Sequence, residues 1–311
     1  MTTKPEIVVI ADLPADLRNA LSNDFSLIDM PLEGPNAIAL SALPTHHRAI
    51  ATRAVLGVPA GLLDVLPQLG LVISMGAGLD NIDADALAAR GVALAFTPDQ
   101  FTEDVADFAL GLIYAAQRKI VEADKFMRSG AWATMRFATS RRVSTRHVGI
   151  VGLGRIGQRI AEKCTALGMP VSYHARAERP DCSYTFHGDV MSLAAACDIL
   201  VLACALTPQT RGLVNRDVLA ALGADGILVN IARGAVVDEQ TLTEALEART
   251  IGGAALDVFA SEPAFDKRFL ALDNVILTPH SASFTFEARQ AVINHLVTSA
   301  KAFFALPSPT G

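Results

Sequence analysis

Along the first hundred residues, apolar runs alternate with stretches of helical periodicity: EIVVIA, then DLRNALS, HRAIATR, GLLDVLPQL, GLVISMG, DADALAARG and GVALAF. Short, nearly continuous apolar runs are what strands buried on both faces look like. Their regular interleaving with helices predicts β-α-β units and a parallel sheet covered by helices. The pattern stops at Thr97-Pro98, after which one long helix is predicted from about Thr102 to Arg128, with Thr102 as N-cap and Glu103 and Asp104 in its first turn. A domain boundary is expected near residue 98.

A second alternation starts at HVGIVG and continues through PVSYHA, CDILVLACA, GILVNIA, GGAALDVF and NVILTP. Six strands separated mostly by helical patterns predict a second, complete doubly wound sheet. The final helical stretch, FEARQAVINHLVTSAKAFFA, either closes that sheet or crosses back to the first, and periodicity leaves both open. The tail LPSPTG is expected to be disordered.

Composition narrows the function classes. The 311 residues are 51% hydrophobic with a formal net charge of −6, enough to bury two cores. Basic residues never run longer than the Arg141-Arg142 pair, so no nucleic-acid partner is expected. The longest charge-free stretch, Val65 to Leu79, is broken by a proline and glycines and is too short to span a bilayer, so no membrane partner is expected either. The N-terminus shows no secretory h-region, which predicts a cytoplasmic protein. Cys164, Cys182, Cys197 and Cys204 lack C-x-x-C spacing and read as buried free thiols. His46-His47 reads as solvated loop surface, and no metal site is expected.

The chemistry-bearing signal is in HVGIVGLGRIGQRIAEK. Gly152, Gly154 and Gly157 match G-x-G-x-x-G between a predicted strand and a predicted helix that opens with Arg155 and Ile156. In that context the glycines allow the tight turn, the approach of a pyrophosphate to the backbone, and close helix–strand packing, while the helix N-terminus offers free N–H groups. NAD-binding turns are usually followed about 20 residues later by an acid that holds the ribose 2′-hydroxyl. Here the next strand ends in VSYHARAERP, which supplies His174, Arg176 and Arg179 instead. Two guanidiniums suit a 2′-phosphate, so NADP is expected as the preferred cofactor and NAD as the alternative, with Glu178 counting against the phosphate.

In a doubly wound sheet the ligand crevice lies beyond the carboxyl ends of the strands. Thr207, Arg233, Glu262 and His280 all fall just after predicted strands. An arginine can grip a carboxylate and polarise a carbonyl, and a histidine backed by a carboxylate can deliver a proton. Arg233, Glu262 and His280 together predict hydride transfer to a 2-oxo acid.

The stretches SMGAGLDNID, TEDVADFALGLI, VGIVGLGRIGQRIA, LACALTPQTRGLVN, VNIARGAVVDEQTLTEAL, GGAALDVFASEP and LTPH run through nearly the whole chain in order. In them the sequence resembles the D-isomer-specific 2-hydroxyacid dehydrogenases, most closely the glyoxylate/hydroxypyruvate reductase branch that includes hydroxyphenylpyruvate reductases. The resemblance implies two doubly wound parallel-sheet domains. One is a flavodoxin-like substrate domain formed by residues 1–98 with 286–311, so the last helix crosses back. The other is a Rossmann dinucleotide-binding domain over 99–285, with the active site in the cleft between them.

The resemblance further implies that Arg233, Glu262 and His280 are catalytic, and that the backbone of Met75, Gly76 and Ala77 holds the substrate carboxylate alongside Arg233 and His280. Asp257 is implied to accept from the nicotinamide carboxamide. The remaining cofactor contacts are implied at Ala205, Leu206, Thr207, Ile231, Ala232, Arg233, His280 and Ala282, beside the glycine turn. A homodimer is implied, with Trp132 of the SGAW stretch reaching toward the neighbouring subunit; ordinary core packing is the alternative for Trp132. The chain departs from its relatives at SASFTFEAR, where Phe284 and Phe286 replace smaller residues, and at SMGAG. The expected activity is NADPH-dependent reduction of glyoxylate and hydroxypyruvate. Hydroxyphenylpyruvate reduction, D-lactate oxidation, or a nicotinamide-sensing corepressor role stay open.

Overall fold

A computed structural model of the protein describes residues 4–305, so the LPSPTG tail lies outside the described residues. The chain divides into two compact units, one made of the residues up to Phe101 together with those from Thr285 on, the other of Thr102–Phe284.

In the first unit, strands β1 (Glu6–Val9), β2 (Ser26–Asp29), β3 (Ala49–Arg53), β4 (Leu71–Met75) and β5 (Ala93–Ala95) form an all-parallel sheet in the order β2-β1-β3-β4-β5. Helices α1 (Ala15–Ser22), α2 (Leu62–Val65) and α3 (Ala84–Ala89) connect them. This is the flavodoxin-like order. The strand period of two divides the apolar residues between two cores. Ile7, Val9, Ala49, Ala51, Leu71 and Ile73 bury on one face, and Val8, Ile50 and Val72 on the other.

The second unit opens with α4 (Thr102–Arg118) and α5 (Ile120–Arg128). These replace the single predicted helix, because Lys119 adopts a left-handed conformation with φ of 53° that ends one helix and starts the next. Strands β6 (Val148–Val151), β7 (Val171–His174), β8 (Thr185–His187), β9 (Ile199–Leu202), β10 (Ile227–Asn230), β11 (Gly253–Leu256) and β12 (Val275–Leu277) alternate with α6 (Arg155–Ala166), α7 (Val190–Ala196), α8 (Arg216–Leu222) and α9 (Glu239–Glu247). The sheet is entirely parallel, in the order β12-β11-β10-β9-β6-β7-β8. It has seven strands where the apolar pattern predicts six, because β8, Thr185-Phe186-His187, carries a single strongly apolar residue and so shows no apolar run. The order reverses between β6 and β9, the switch point where such sheets bind ligands.

The last helix, α10 (Phe286–Phe303), belongs to the first unit. Val292, Leu296 and Ala300 recur every four residues on one stripe and are fully buried in the core that holds Ile7, Val9 and Leu17. Thr285 caps the helix by accepting from the Ala288 N–H at 3.0 Å. Among the described residues no helix is long and apolar enough to cross a membrane.

Candidate active site

The glycine turn sits at the switch point. Val151 is level with His174 of β7 on one side and Leu202 of β9 on the other. From there the chain turns at Gly152, whose N–H donates to the His174 carbonyl at 2.8 Å. Gly152 has φ of 94°, and a Cβ there would stand 2.7 Å from Cys204 Cα. A Cβ on Gly157 would stand 2.0 Å from the Gly152 carbonyl oxygen. The protein's own packing therefore demands glycine at both positions.

Gly154 differs. Its φ of −76° suits any residue, and a Cβ would meet nothing within 4 Å. Nothing in the fold requires glycine there, whereas a pyrophosphate lying against the backbone would. Gly154 is also the N-cap of α6 and provides no side-chain cap, and the first turn, which begins with Arg155 and Ile156, carries no acid. A helix N-terminus with neither a capping side chain nor an acid presents the positive end of its dipole, which suits an anion. The residues present fit a dinucleotide.

The two expected phosphate ligands behave differently. Arg176 is exposed and makes no hydrogen bond or ion pair with any described residue. Arg179 donates from Nη1 to the Leu153 carbonyl at 3.1 Å and to Gln158 Oε1 at 3.2 Å, and grips Asp181 through Nε and Nη2 at 3.2 and 2.6 Å. That pair holds the Asp181 carboxyl below the usual carboxylate range. The acid that competes for a guanidinium is thus Asp181, folded under Arg179 by the turn at 179–182, in which the Cys182 N–H donates to the Arg179 carbonyl. Glu178, the acid singled out in the sequence, is not the one. His174 Nδ1 lies 2.9 Å from the His187 carbonyl of β8.

Beyond β9, Ala205 and Thr207 are exposed and Leu206 half-buried. Thr210, which the sequence reading passed over, closes this loop: its hydroxyl donates to the Ala205 carbonyl at 2.7 Å and accepts from the Thr207 N–H at 2.7 Å.

The three catalytic candidates leave one edge of the sheet, because Asn230, Leu256 and Leu277 are level across β10, β11 and β12. After β10, Ile231 and Ala232 are buried. Asn230 builds the turn beneath Arg233: its Oδ1 accepts from the Ala232 N–H at 3.0 Å and its Nδ2 donates to the Arg233 carbonyl at 3.1 Å. Arg233 itself is half-buried and donates from Nη1 to the Ala232 carbonyl at 2.7 Å. At Gly234 a Cβ would fall 1.9 Å from the Phe259 carbonyl carbon, so glycine lets this turn press against the loop that leads to Glu262. That loop is held from a second side, where Glu239 Oε2 accepts from the Ala260 N–H at 2.8 Å.

Glu262 uses one oxygen for its own loop, with Oε1 accepting from the Phe259 N–H at 2.9 Å, and turns Oε2 toward His280 Nδ1 at 2.6 Å. His280 has φ of 52°, a left-handed conformation unusual for a residue with a Cβ. Asp257 enforces it. Its carboxylate is 1% exposed and collects Thr278 Oγ1 at 2.6 Å on Oδ1, the Ser281 N–H at 2.9 Å on Oδ1, and the Ala282 N–H at 2.9 Å on Oδ2. A buried carboxylate needs such donors. The His280 N–H in turn donates to the Asp257 carbonyl at 2.9 Å. In this structure the Asp257 side chain clamps the histidine loop, a task the resemblance does not name.

With a carboxylate on Nδ1, the imidazole keeps its proton there and presents Nε2 outward, protonated in the cationic form. That is a proton donor fixed in one tautomer. Half of the His280 side chain remains open, at 45% exposure.

In the first unit, Gly76 has φ of 129°, and a Cβ would stand 2.7 Å from Ala54 Cβ. Its N–H donates to Thr97 Oγ1 at 3.2 Å, while the next residue, Ala77, is exposed and Met75 half-buried.

Other expectations need correction. His47 is 5% exposed, not solvated, and burial together with the neighbouring His46 pushes its imidazole below the ordinary range. Trp132 is 66% exposed, which removes core packing as its explanation, and Phe284 and Phe286 are exposed as well. All four cysteines are free thiols. Cys164 and Cys197 are buried, with pKa pushed up by burial to about 12, whereas Cys182 and Cys204 are only half-buried.

Residues 110–282 match the family profile described as D-isomer specific 2-hydroxyacid dehydrogenase, NAD binding domain. The chain is 41% identical to a glyoxylate/hydroxypyruvate reductase A of Arabidopsis thaliana over 96% of both chains. It is 44% identical to the hydroxyphenylpyruvate reductase of Plectranthus scutellarioides, again over 96% of both. Among solved structures it is similar to an NADPH-dependent glyoxylate/hydroxypyruvate reductase from Sinorhizobium meliloti in complex with NADP and malonate, with a TM-score of 0.88 and 35% identity over 97% of this chain and 94% of the other.

Proposed function

Because the chain belongs to the D-isomer-specific 2-hydroxyacid dehydrogenases, we propose that it reduces small 2-oxo acids, glyoxylate and hydroxypyruvate foremost, with NADPH as the preferred reductant and NADH as the alternative. The observation that carries this reading is the His280–Glu262 contact of 2.6 Å on the sheet edge that also bears Arg233.

In this mechanism Gly152, Gly154 and Gly157 hold the pyrophosphate against the start of α6, and Arg176 meets the 2′-phosphate. Bound there, the nicotinamide supplies a hydride to the carbonyl carbon of the substrate. Arg233 pairs with the substrate's oxygens and stabilises the negative charge that builds on the carbonyl oxygen. His280 passes its Nε2 proton to that oxygen, and Glu262 stabilises the imidazolium before transfer and holds the ring afterwards. Asp257 keeps the histidine loop in its left-handed conformation. In the first unit, the backbone of Met75, Gly76 and Ala77 is assigned to the substrate carboxylate, with the Gly76 N–H exchanging its bond to Thr97 Oγ1 for the substrate. We assign residues 1–98 with 286–311 to the substrate domain and 99–285 to the nucleotide domain.

His280→Ala tests the core of this reading. Turnover with hydroxypyruvate should fall by about 10²–10⁴-fold, the typical contribution of a general acid, while NADPH affinity stays within about twofold. Near-normal turnover would remove His280 from the mechanism. The 44% identity to a hydroxyphenylpyruvate reductase favours a second substrate, and kcat/KM for the two acids side by side decides between them.

We further propose a homodimer in the cytoplasm. Exposed Ile120, Met127, Trp132 and Met135 cluster in sequence on α5 and the segment after it, the apolar surface a partner subunit would cover. The four free thiols suit a reducing compartment. A monomer in sedimentation equilibrium at micromolar concentration would refute the dimer.

A further inference from the structure

At the amino edge of the first sheet, three metal-ligating side chains converge that the reductase reading does not use. Glu6 opens β1, and His46-His47 immediately precede β3, its parallel neighbour. Val8 pairs with Ile50, so Glu6, two residues earlier, is level with Arg48, the residue after His47. His47 Nδ1 is 3.3 Å from Glu6 Oε2, and His46 Nε2 is 3.9 Å from the same oxygen. One ligand atom from each residue lies within 4.8 Å of the others. The two imidazoles lie 4.2 Å apart between centroids, tilted by 39°.

We propose that Glu6, His46 and His47 bind a divalent cation of the zinc class. Bonds of about 2.0–2.2 Å in a tetrahedral arrangement separate neighbouring ligand atoms by roughly 3.3–3.5 Å. The His47–Glu6 distance already has that value, while the His46–Glu6 distance of 3.9 Å and the His46–His47 separation, within 4.8 Å, close by rotation of His46 and Glu6, whose side chains are 67% and 48% exposed. The buried imidazole of His47, at 5% exposure, is the fixed point of the site. Two nitrogens with one carboxylate oxygen select Zn²⁺, Co²⁺ or Ni²⁺ over Mg²⁺ or Ca²⁺, which take oxygen ligands. The fourth position faces solvent and takes water.

The cation would tie the start of β1 to the approach to β3, bridging residues forty positions apart in the chain. Met75 ends β4 and Gly76 follows it, on the opposite edge of the same sheet, so binding stabilises the fold without entering the proposed catalytic steps.

The test uses the tag-free, chelator-stripped protein. Titration with CoCl₂, read by visible absorption, and with ZnCl₂, read by calorimetry, should give one ion per chain and a Zn²⁺-dependent rise in Tm. His46→Gln and Glu6→Gln change exposed side chains, so both variants fold, as circular dichroism will verify. Each should weaken binding about tenfold or more and abolish the Tm rise, with reductase turnover unchanged. Absence of binding up to about 100 μM metal overturns the proposal, as does stoichiometric binding that both substitutions leave intact, which would place the ion elsewhere.

Discussion

Replacing Arg176 and Arg179 one at a time separates two guanidiniums that look equivalent in sequence. Arg176 is exposed and has no partner among the described residues, so its charge is available to a 2′-phosphate. The Arg179 guanidinium makes four hydrogen bonds, two to Asp181 and one each to Gln158 and the Leu153 carbonyl, and its charge is neutralised by a carboxylate at 2.6 Å. A charge-assisted guanidinium–phosphate contact is worth about 1.5–3 kcal/mol. At about 1.4 kcal/mol per factor of ten, Arg176→Ala should raise the NADPH dissociation constant roughly 10- to 150-fold. NADH, which lacks the phosphate, should bind within about twofold of wild type. Arg179→Ala should cost less than about threefold with either cofactor, because it deletes a neutral pair. Asp181→Asn should tighten NADPH alone by releasing Arg179. The assay is fluorescence titration of both cofactors at one fixed ionic strength, since exposed charges are screened beyond about 8 Å at 0.15 M salt. If Arg179→Ala loses as much NADPH affinity as Arg176→Ala, or if Arg176→Ala weakens both cofactors equally, the division of labour is wrong.

The glycine turn makes a prediction about stability as well as binding. Gly154→Ala should lower Tm only slightly, since its Cβ would enter open space and the narrower unfolded ensemble of alanine partly offsets its poorer fit at the N-cap. It should nonetheless weaken cofactor binding, whereas Gly157→Ala, which drives a Cβ into the Gly152 carbonyl, should lower Tm directly. Thermal melts with and without NADPH distinguish the two; equal losses of Tm would refute the reasoning. Acid sensitivity can be located too. The hydrogen bond from Arg289 on α10 holds the Asp16 carboxyl on α1 below its ordinary value of 3.8. A depressed carboxylate pKa contributes stability above the unfolded pKa and loses it as pH falls through the folded one. Both side chains are more than 40% exposed, so Arg289→Ala should cost only about 0.5–1 kcal/mol at neutral pH. The urea midpoints of wild type and variant should converge as pH falls below 3.8 and through the depressed folded-state pKa, and a gap that persists once the carboxyl is protonated would show that the residue acts through packing.

What the sequence made legible was local. The glycine turn, Arg233, Glu262 and His280 could be named because each sits at a fixed offset from a strong apolar run, and strand ends are where doubly wound sheets work. The strands β2 and β8 escaped notice because both lie at sheet edges and are only partly buried, so they carry too little apolar pattern to register. The break at Lys119 has no glycine or proline to mark it. Residues that act through distant backbone were equally hidden. Glu239 reaches Ala260 across 21 positions, Asp257 reaches Ala282 across 25, and Glu6 meets His47 across 41. Asn230 offered one faint clue, as the polar end of the buried run ILVN.

The crossing of α10 into the first unit has a consequence for biosynthesis. A ribosome releases Ile7, Val9 and Leu17 first, yet the core that buries them is completed only by Val292, Leu296 and Ala300. The second unit, continuous from Thr102 to Phe284, is translated in full before the first residue of that helix. The usual vectorial order, amino-terminal domain first, is therefore inverted. The earliest-made strands keep one apolar face uncovered until the latest-made helix reaches them.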